Sequence, residues 1–269
     1  MARGAEGRLA VVAEDSVAPK AKAPVALLTG VGRRENIAAA VAVTLARDGW
    51  DLGLVTLPQY DRRMTWGDRP DDLAALVETI ESLGRRAVVF ETDLADPARA
   101  SGLVADVAAA LGPVSAVVLS HSESVDSGIL DTTVESFDRH FAVNVRAAWL
   151  VIKAFATQVP QSGGSIVALT SDHVVDNLPY GASKGSLDRI VIAAARELGH
   201  LDISSNALNP GPIDTGWMDD DTRRTLTGRQ PTGRLGVPQD TANTVRFLLS
   251  PEGHWISGQL ITSDGGFSV

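Results

Sequence analysis

From Pro24 onward, short runs of Val, Ile, Leu and Ala alternate with longer amphipathic stretches. PVALLTG (24–30), DLGLVTL (51–57), RAVVFETD (86–93), VSAVVLS (114–120), GSIVALTS (164–171), DISSNALNP (202–210) and SGQLITSD (257–264) each read as a strand. Helical spacing of apolar residues falls between them, near 35–49, 71–83, 97–111, 134–158, 180–199 and 239–250. Strands this uniformly apolar have no solvent face, so both sides of the sheet need cover. Strand and helix in strict alternation supply that cover as an α/β, doubly wound parallel sheet of about seven strands.

Two stretches break the alternation. Residues 58–70 (PQYDRRMTWGDRP) read as a long polar loop after the second strand. Residues 212–237, rich in Gly, Asp, Arg and Thr, follow a strand's carboxyl end. An open α/β sheet binds ligands there, and long loops in compact domains are often functional. The first 22 residues are Ala-rich and mixed in charge, without the sustained apolar run of a signal peptide. They read as a flexible arm (1–22) ahead of one domain (23–269).

The 269 residues are 44% hydrophobic, contain no cysteine and carry a formal charge of -9. Disulfides and thiolate metal sites are therefore excluded, and no metal site is expected. An acidic chain disfavours a phosphate-backbone partner, so no nucleic acid is expected. No apolar run reaches the ~20 residues of a membrane span. A cytoplasmic protein acting on a small molecule is the expectation.

Thr29-Gly30-Val31-Gly32 joins the first strand to a helix, the context of a dinucleotide site. Glycine lets backbone approach a pyrophosphate, and the helix N-terminus offers unpaired N–H groups. A plain strand-to-helix turn has the same sequence. The second strand ends in Thr56-Leu57, without the acid that bonds the ribose hydroxyls of NAD. Arg33, Arg34 and Arg62 nearby favour NADP(H) over NAD(H), unless Asp61 folds back.

Tyr180-Gly-Ala-Ser-Lys184 carries the most chemistry. Four residues apart on a helix sets both side chains on one face. An ammonium there favours phenolate, as a proton-transferring tyrosine requires. Such a pair arises by chance in about 3% of chains with this content of Tyr and Lys. Ser171 ends the preceding strand, where its hydroxyl can meet the same substrate oxygen. Asn144 lies inside a helical stretch, which suits asparagine only when its amide has a task. A buried amide satisfied by backbone is the plainer alternative.

Together these residues resemble the short-chain dehydrogenase/reductase family over about 24–269. The likeness includes the Thr-Gly turn, Asp93 in TDLAD, Asn144 in VNVRA, Ser171, Tyr180, Lys184 and NPGPIDT (209–215). GRLGVPQDTANTVRFLLS (233–250) and SGQLITSDGG (257–266) are similar to the 3-oxoacyl-carrier-protein reductase branch. The resemblance implies a Rossmann-like fold and a carbonyl reduction or alcohol oxidation. Tyr180 would be the general acid, Ser171 would hold the oxygen, and Lys184 would grip the nicotinamide ribose. Asn144 would anchor a water. Gly30, Gly32, Arg33, Arg34, Asn36 and Ile37 would meet the pyrophosphate side, and Asp93 and Leu94 the adenine. Ser120 and His121 would line the middle, and Pro210, Gly211, Ile213 and Thr215 the nicotinamide end. A homotetramer or dimer is also implied.

The chain departs from that pattern in three places. Asn36 and Ala38 stand for the later glycines of the first turn, with one extra residue, as in the enoyl-carrier-protein reductase turn. Ser120-His121-Ser122-Glu123 replaces the family's Asn-Asn-Ala-Gly, and His121 reads as structural. The loop from Ser171 to Tyr180 is short, with His173 expected to be exposed. Two other readings remain: an NAD-dependent sugar, cyclitol or alcohol dehydrogenase, and a catalytically silent dinucleotide-binding protein.

Overall fold

The computed structural model describes residues 22–173 and 175–269. Apart from Lys22, the expected arm lies outside the described residues. The strands are β1 (Val25–Thr29), β2 (Asp51–Thr56), β3 (Ala87–Glu91), β4 (Val114–Leu119), β5 (Gly164–Leu169), β6 (Ile203–Asn209) and β7 (Leu260–Thr262). They form one parallel sheet in the order β3-β2-β1-β4-β5-β6-β7. Every residue of β1, β2 and β6 is buried, as strands covered on both faces must be.

The pleat divides the strands between two cores. Ala26 and Leu28 of β1 face α1 (Ile37–Arg47), α3 (Pro70–Ser82) and α9 (Pro238–Leu248) in one apolar cluster. Val25 and Leu27 face the other way. There α4 (Pro97–Leu111), α6 (Ala148–Ala156) and α7 (Leu178–Glu197) supply Val104, Phe155 and Val191. Phe155 is fully buried, and Phe155→Ala would cost about 3–5 kcal/mol through lost burial and a cavity. Strand order reverses between β1 and β4, so the loops after them diverge and leave a crevice at their carboxyl ends.

Three expectations are corrected. Residues 58–70 are not one loop: Pro58 opens a short helix, α2 (Pro58–Arg63). Within 212–237 lies α8 (Asp220–Arg229), started by Asp219, whose carboxylate accepts from Thr222 N at 2.7 Å. The helix near 134–158 is three pieces: α5 (Val134–His140), a π-helical turn (Phe141–Ala147) and α6.

Candidate active site

The first turn is locked against the end of β4. Gly30 has φ of +77°, and a Cβ there would lie 2.8 Å from backbone atoms of Ser120 and His121. Only glycine fits such a conformation and approach. Thr29 Oγ1 accepts from Ser120 N at 3.1 Å and lies 2.7 Å from His121 Nδ1. His121 Nε2 is 3.0 Å from the Val143 carbonyl, so that nitrogen carries the proton and Nδ1 accepts from the threonine. Burial, and then the charge of Lys184, push His121 down to about 4, leaving it neutral at pH 7. Its ring is thus committed to the fold. Asn36 caps α1, accepting from Ala39 N at 2.7 Å and donating to Gly30 O at 3.0 Å. An amide replaces the family's glycine by closing the turn on itself. Ile37 is the first residue of α1.

Tyr180 and Lys184 lie on the first turns of α7, beneath the end of β5. Lys184 is 2% exposed and donates to Leu169 O at 2.8 Å. Its Nζ is 5.6 Å from the centre of the Tyr180 ring. Burial pushes the amine down to about 8, against a pull upward from Asp188. Burial raises the Tyr180 phenol, while hydrogen bonds with the Ser171 and Ser122 hydroxyls pull it back down. Ser171 Oγ also accepts from His173 N at 3.2 Å, and His173 is exposed.

Asn144 sits in the π-helical turn with both amide hydrogens and its oxygen engaged. Oδ1 accepts from Glu123 N at 2.7 Å, and Nδ2 donates to Glu123 O and Ser183 Oγ, each at 2.9 Å. Ser183 donates in turn to Tyr180 O at 2.7 Å. The amide therefore ties the 120–124 turn to α7.

The remaining expected residues line the crevice or its rim. Arg33 is buried, donates to Thr215 O at 2.7 Å and lies 4.3 Å above the Trp66 ring. It bridges the first turn to the segment after β6 and does not stand free for a phosphate. Arg34 is exposed, and its backbone N–H bonds Asp72. Asp93 pairs with Arg139 at 2.9 Å, and Leu94 is buried beside it. Gly211 (φ +66°) follows Pro210 and donates to Asn209 Oδ1 at 3.1 Å, and Ile213 pairs with Gly236.

Sequence reasoning left open the return of Asp61 but missed Tyr60, Arg63 and Trp66, which fill the crevice with it. Asp61 does fold back: a Cβ on Gly32 would lie 2.7 Å from its Oδ2. Trp66 Nε1 donates to Asp61 Oδ1 at 2.8 Å. Arg63 donates to both oxygens of Glu123 at 3.0 and 3.1 Å, and Arg139 reaches Glu123 at 3.3 Å. Tyr60 is half-buried, its phenol raised first by burial and next by Glu123, with Ser124 N–H bonding it. One signal was available: the chain has only two tyrosines, and both lie in this crevice.

A family model described as "Enoyl-(Acyl carrier protein) reductase" matches residues 30–268. The chain belongs to the short-chain dehydrogenase/reductase family. This short-chain dehydrogenase/reductase is 31% identical over 250 residues to an uncharacterized oxidoreductase, YjdA, of Bacillus subtilis (strain 168), covering 90% of this chain and 96% of the relative. A short chain dehydrogenase from Burkholderia cenocepacia J2315, solved in complex with NADP, superposes with a TM-score of 0.82 at 31% identity, over 93% of this chain and 100% of that one. A blue fluorescent protein from a metagenomic library, in complex with NADPH, also gives 0.82 at 30% identity, over 92% and 99%. Among the described residues, no group of three His, Asp or Glu is disposed to hold a metal ion. No helix among them is long and apolar enough to cross a membrane.

Proposed function

We propose that this protein reduces a ketone or 3-oxoacyl group, or oxidises the corresponding alcohol, with NADP(H) favoured and Tyr180 as the general acid or base. The observation that carries the reading is a buried Lys184 whose Nζ lies 5.6 Å from the centre of the Tyr180 ring, with the Ser171 and Ser122 hydroxyls beside that phenol. A phenol with a raised pKa keeps its proton at neutral pH and can give it to a carbonyl oxygen. The ammonium beneath the ring then stabilises the phenolate left behind. Ser171 would hold the same oxygen.

A bound nicotinamide supplies or accepts the hydride. Gly30, Gly32, Asn36 and Ile37 would border its pyrophosphate, Asp93 and Leu94 its adenine, and Pro210, Gly211, Ile213 and Thr215 its far end. The first turn suits such a group, since it leads β1 straight into the N-terminus of α1, whose first N–H groups attract an anion. Two similar solved proteins hold NADP or NADPH, and β2 ends without an acid, which supports NADP(H). Asp61 beside Gly32 supports a second reading, an NAD-dependent alcohol, sugar or cyclitol dehydrogenase, because its carboxylate could accept from ribose hydroxyls. Self-association is proposed through the helix face that exposes Phe137 and Trp149.

The test is Tyr180→Phe, assayed with a panel of carbonyls and alcohols at the nicotinamide absorbance. Turnover should fall by about 10²–10⁴-fold, the typical worth of a positioned acid or base, with cofactor still bound. Unchanged turnover would refute the role. Titration with NADPH and NADH separates the two cofactor readings, tighter NADH favouring the second.

A further inference from the structure

The dinucleotide crevice is occupied by the chain itself. Asp61 holds a carboxylate against Gly32, where an anionic pyrophosphate needs bare backbone. Trp66 clamps that carboxylate with its Nε1 and lies under the buried Arg33 guanidinium. Arg33 in turn bonds Thr215 O, so the two banks of the crevice are joined above the first turn. Arg63 and Tyr60 lie deeper, against Glu123 and Ser124.

Glu123 anchors the arrangement. It stands where the family has glycine, and its carboxylate is 3% exposed. A buried carboxylate needs partners, and its two come from separate elements: Arg63 of α2 and Arg139 of α5. Arg139 is further held by Asp93, so it stays on the crevice wall when α2 leaves. Arg63 is half-exposed and belongs to a six-residue helix with no buried residue. The anchor is therefore fixed and what it holds is loosely built. Asp61 and the pyrophosphate carry like charge, and both require the backbone at Gly32.

We propose that Pro58–Trp66 is an autoinhibitory strap, fastened over the dinucleotide crevice by Glu123 and displaced when a dinucleotide binds. The proposal rests on the dinucleotide reading of the crevice. The binding-competent form is then a minor population, and apparent affinity is reduced by its fraction. Arg34, exposed beside the first turn and outside the strap, is placed to receive the incoming anion.

The experiment is stopped-flow binding of NADPH and NADH to the full chain, followed by nicotinamide fluorescence, in wild type, Arg63→Ala and Tyr60→Ala. In wild type the observed rate should reach a ceiling as nucleotide rises, set by strap release. Both variants should raise that ceiling and tighten binding, by about tenfold if the open fraction rises tenfold. Hydrogen exchange of the nucleotide-free proteins should show amides of 58–66 slower in wild type than in Arg63→Ala. A rate that climbs linearly and equally in all three proteins overturns the strap alone, as do weaker binding in the variants or equal exchange. If neither nucleotide binds any of the three, the dinucleotide reading falls and the strap falls with it. Should Tyr60→Ala not fold, Arg63→Ala, at a half-exposed position, carries the test.

Discussion

Lys184 donates its Nζ to the backbone carbonyl of Leu169 at 2.8 Å, fastening α7 to the last residue of β5. The folded chain holds this amine near 8, whereas an unfolded chain keeps its proton to about 10.4. Between those values the unfolded state binds more protons, so stability rises with pH. Urea midpoints should climb from pH 8 to 9.5, and Lys184→Met should flatten the climb. Methionine spares the cost of a buried charge but leaves Leu169 O without its partner. Stability at pH 7 should therefore change by no more than about 1 kcal/mol, while turnover collapses.

His121 sets the opposite limit. Its folded value near 4 lies below the ~6.5 of an unfolded histidine, so protonation favours unfolding throughout that window. The stability given by the neutral ring is complete above pH 6.5 and is lost as pH falls towards 4. The loss should total about 3 kcal/mol at 1.36 kcal/mol per pH unit. Denaturation between pH 4 and 7 reads it directly. His121→Gln, which can still donate and accept, should remove that part of the slope; an unchanged slope would exclude His121 as its source.

The two glycines of the first turn should behave differently. Gly30→Ala meets backbone at 2.8 Å and a positive φ, and should cost more than about 2 kcal/mol. Gly32→Ala meets only the end of the Asp61 side chain at 2.7 Å, which can swing away. It should cost less than about 1 kcal/mol. Thermal melts of the two variants compare them, and equal losses would contradict this account of the turn.

Trp149 is 47% exposed on the outer face of α6 and lines a groove with Phe141, Val145 and Ile190. Apolar surface of that kind marks association. Sedimentation should find a dimer or tetramer in wild type and smaller species in Trp149→Glu. A wild-type monomer would remove the proposed interface.

The strands were legible because burial on two faces leaves a run such as VALLT no polar position. The polar helices were not. α8 reads DDTRRTLTGR and buries nothing, so no apolar stripe announces it; its cap at Asp219 and pairs such as Arg223–Asp220 belong to local polar chemistry. α2 was read as loop for the same reason. Tyr180 and Lys184 could be read because helical spacing alone brings them together. The contact between Arg63 and Glu123 spans 60 residues and depends on how α2 leaves β2, which no local pattern encodes. Arg33 was misjudged through its charge: its guanidinium is committed to Thr215 and Trp66.

The π-helical turn around Asn144 spends one residue more per turn than an α-helix would. Deleting a single residue from 141–147 would restore ordinary winding with the flanking helices nearly in phase, but it would take Asn144 out of its bonds to Glu123 and Ser183. Length variation among related sequences should consequently be absent at this bend, yet freely tolerated in the stretch between Gly67 and Pro70.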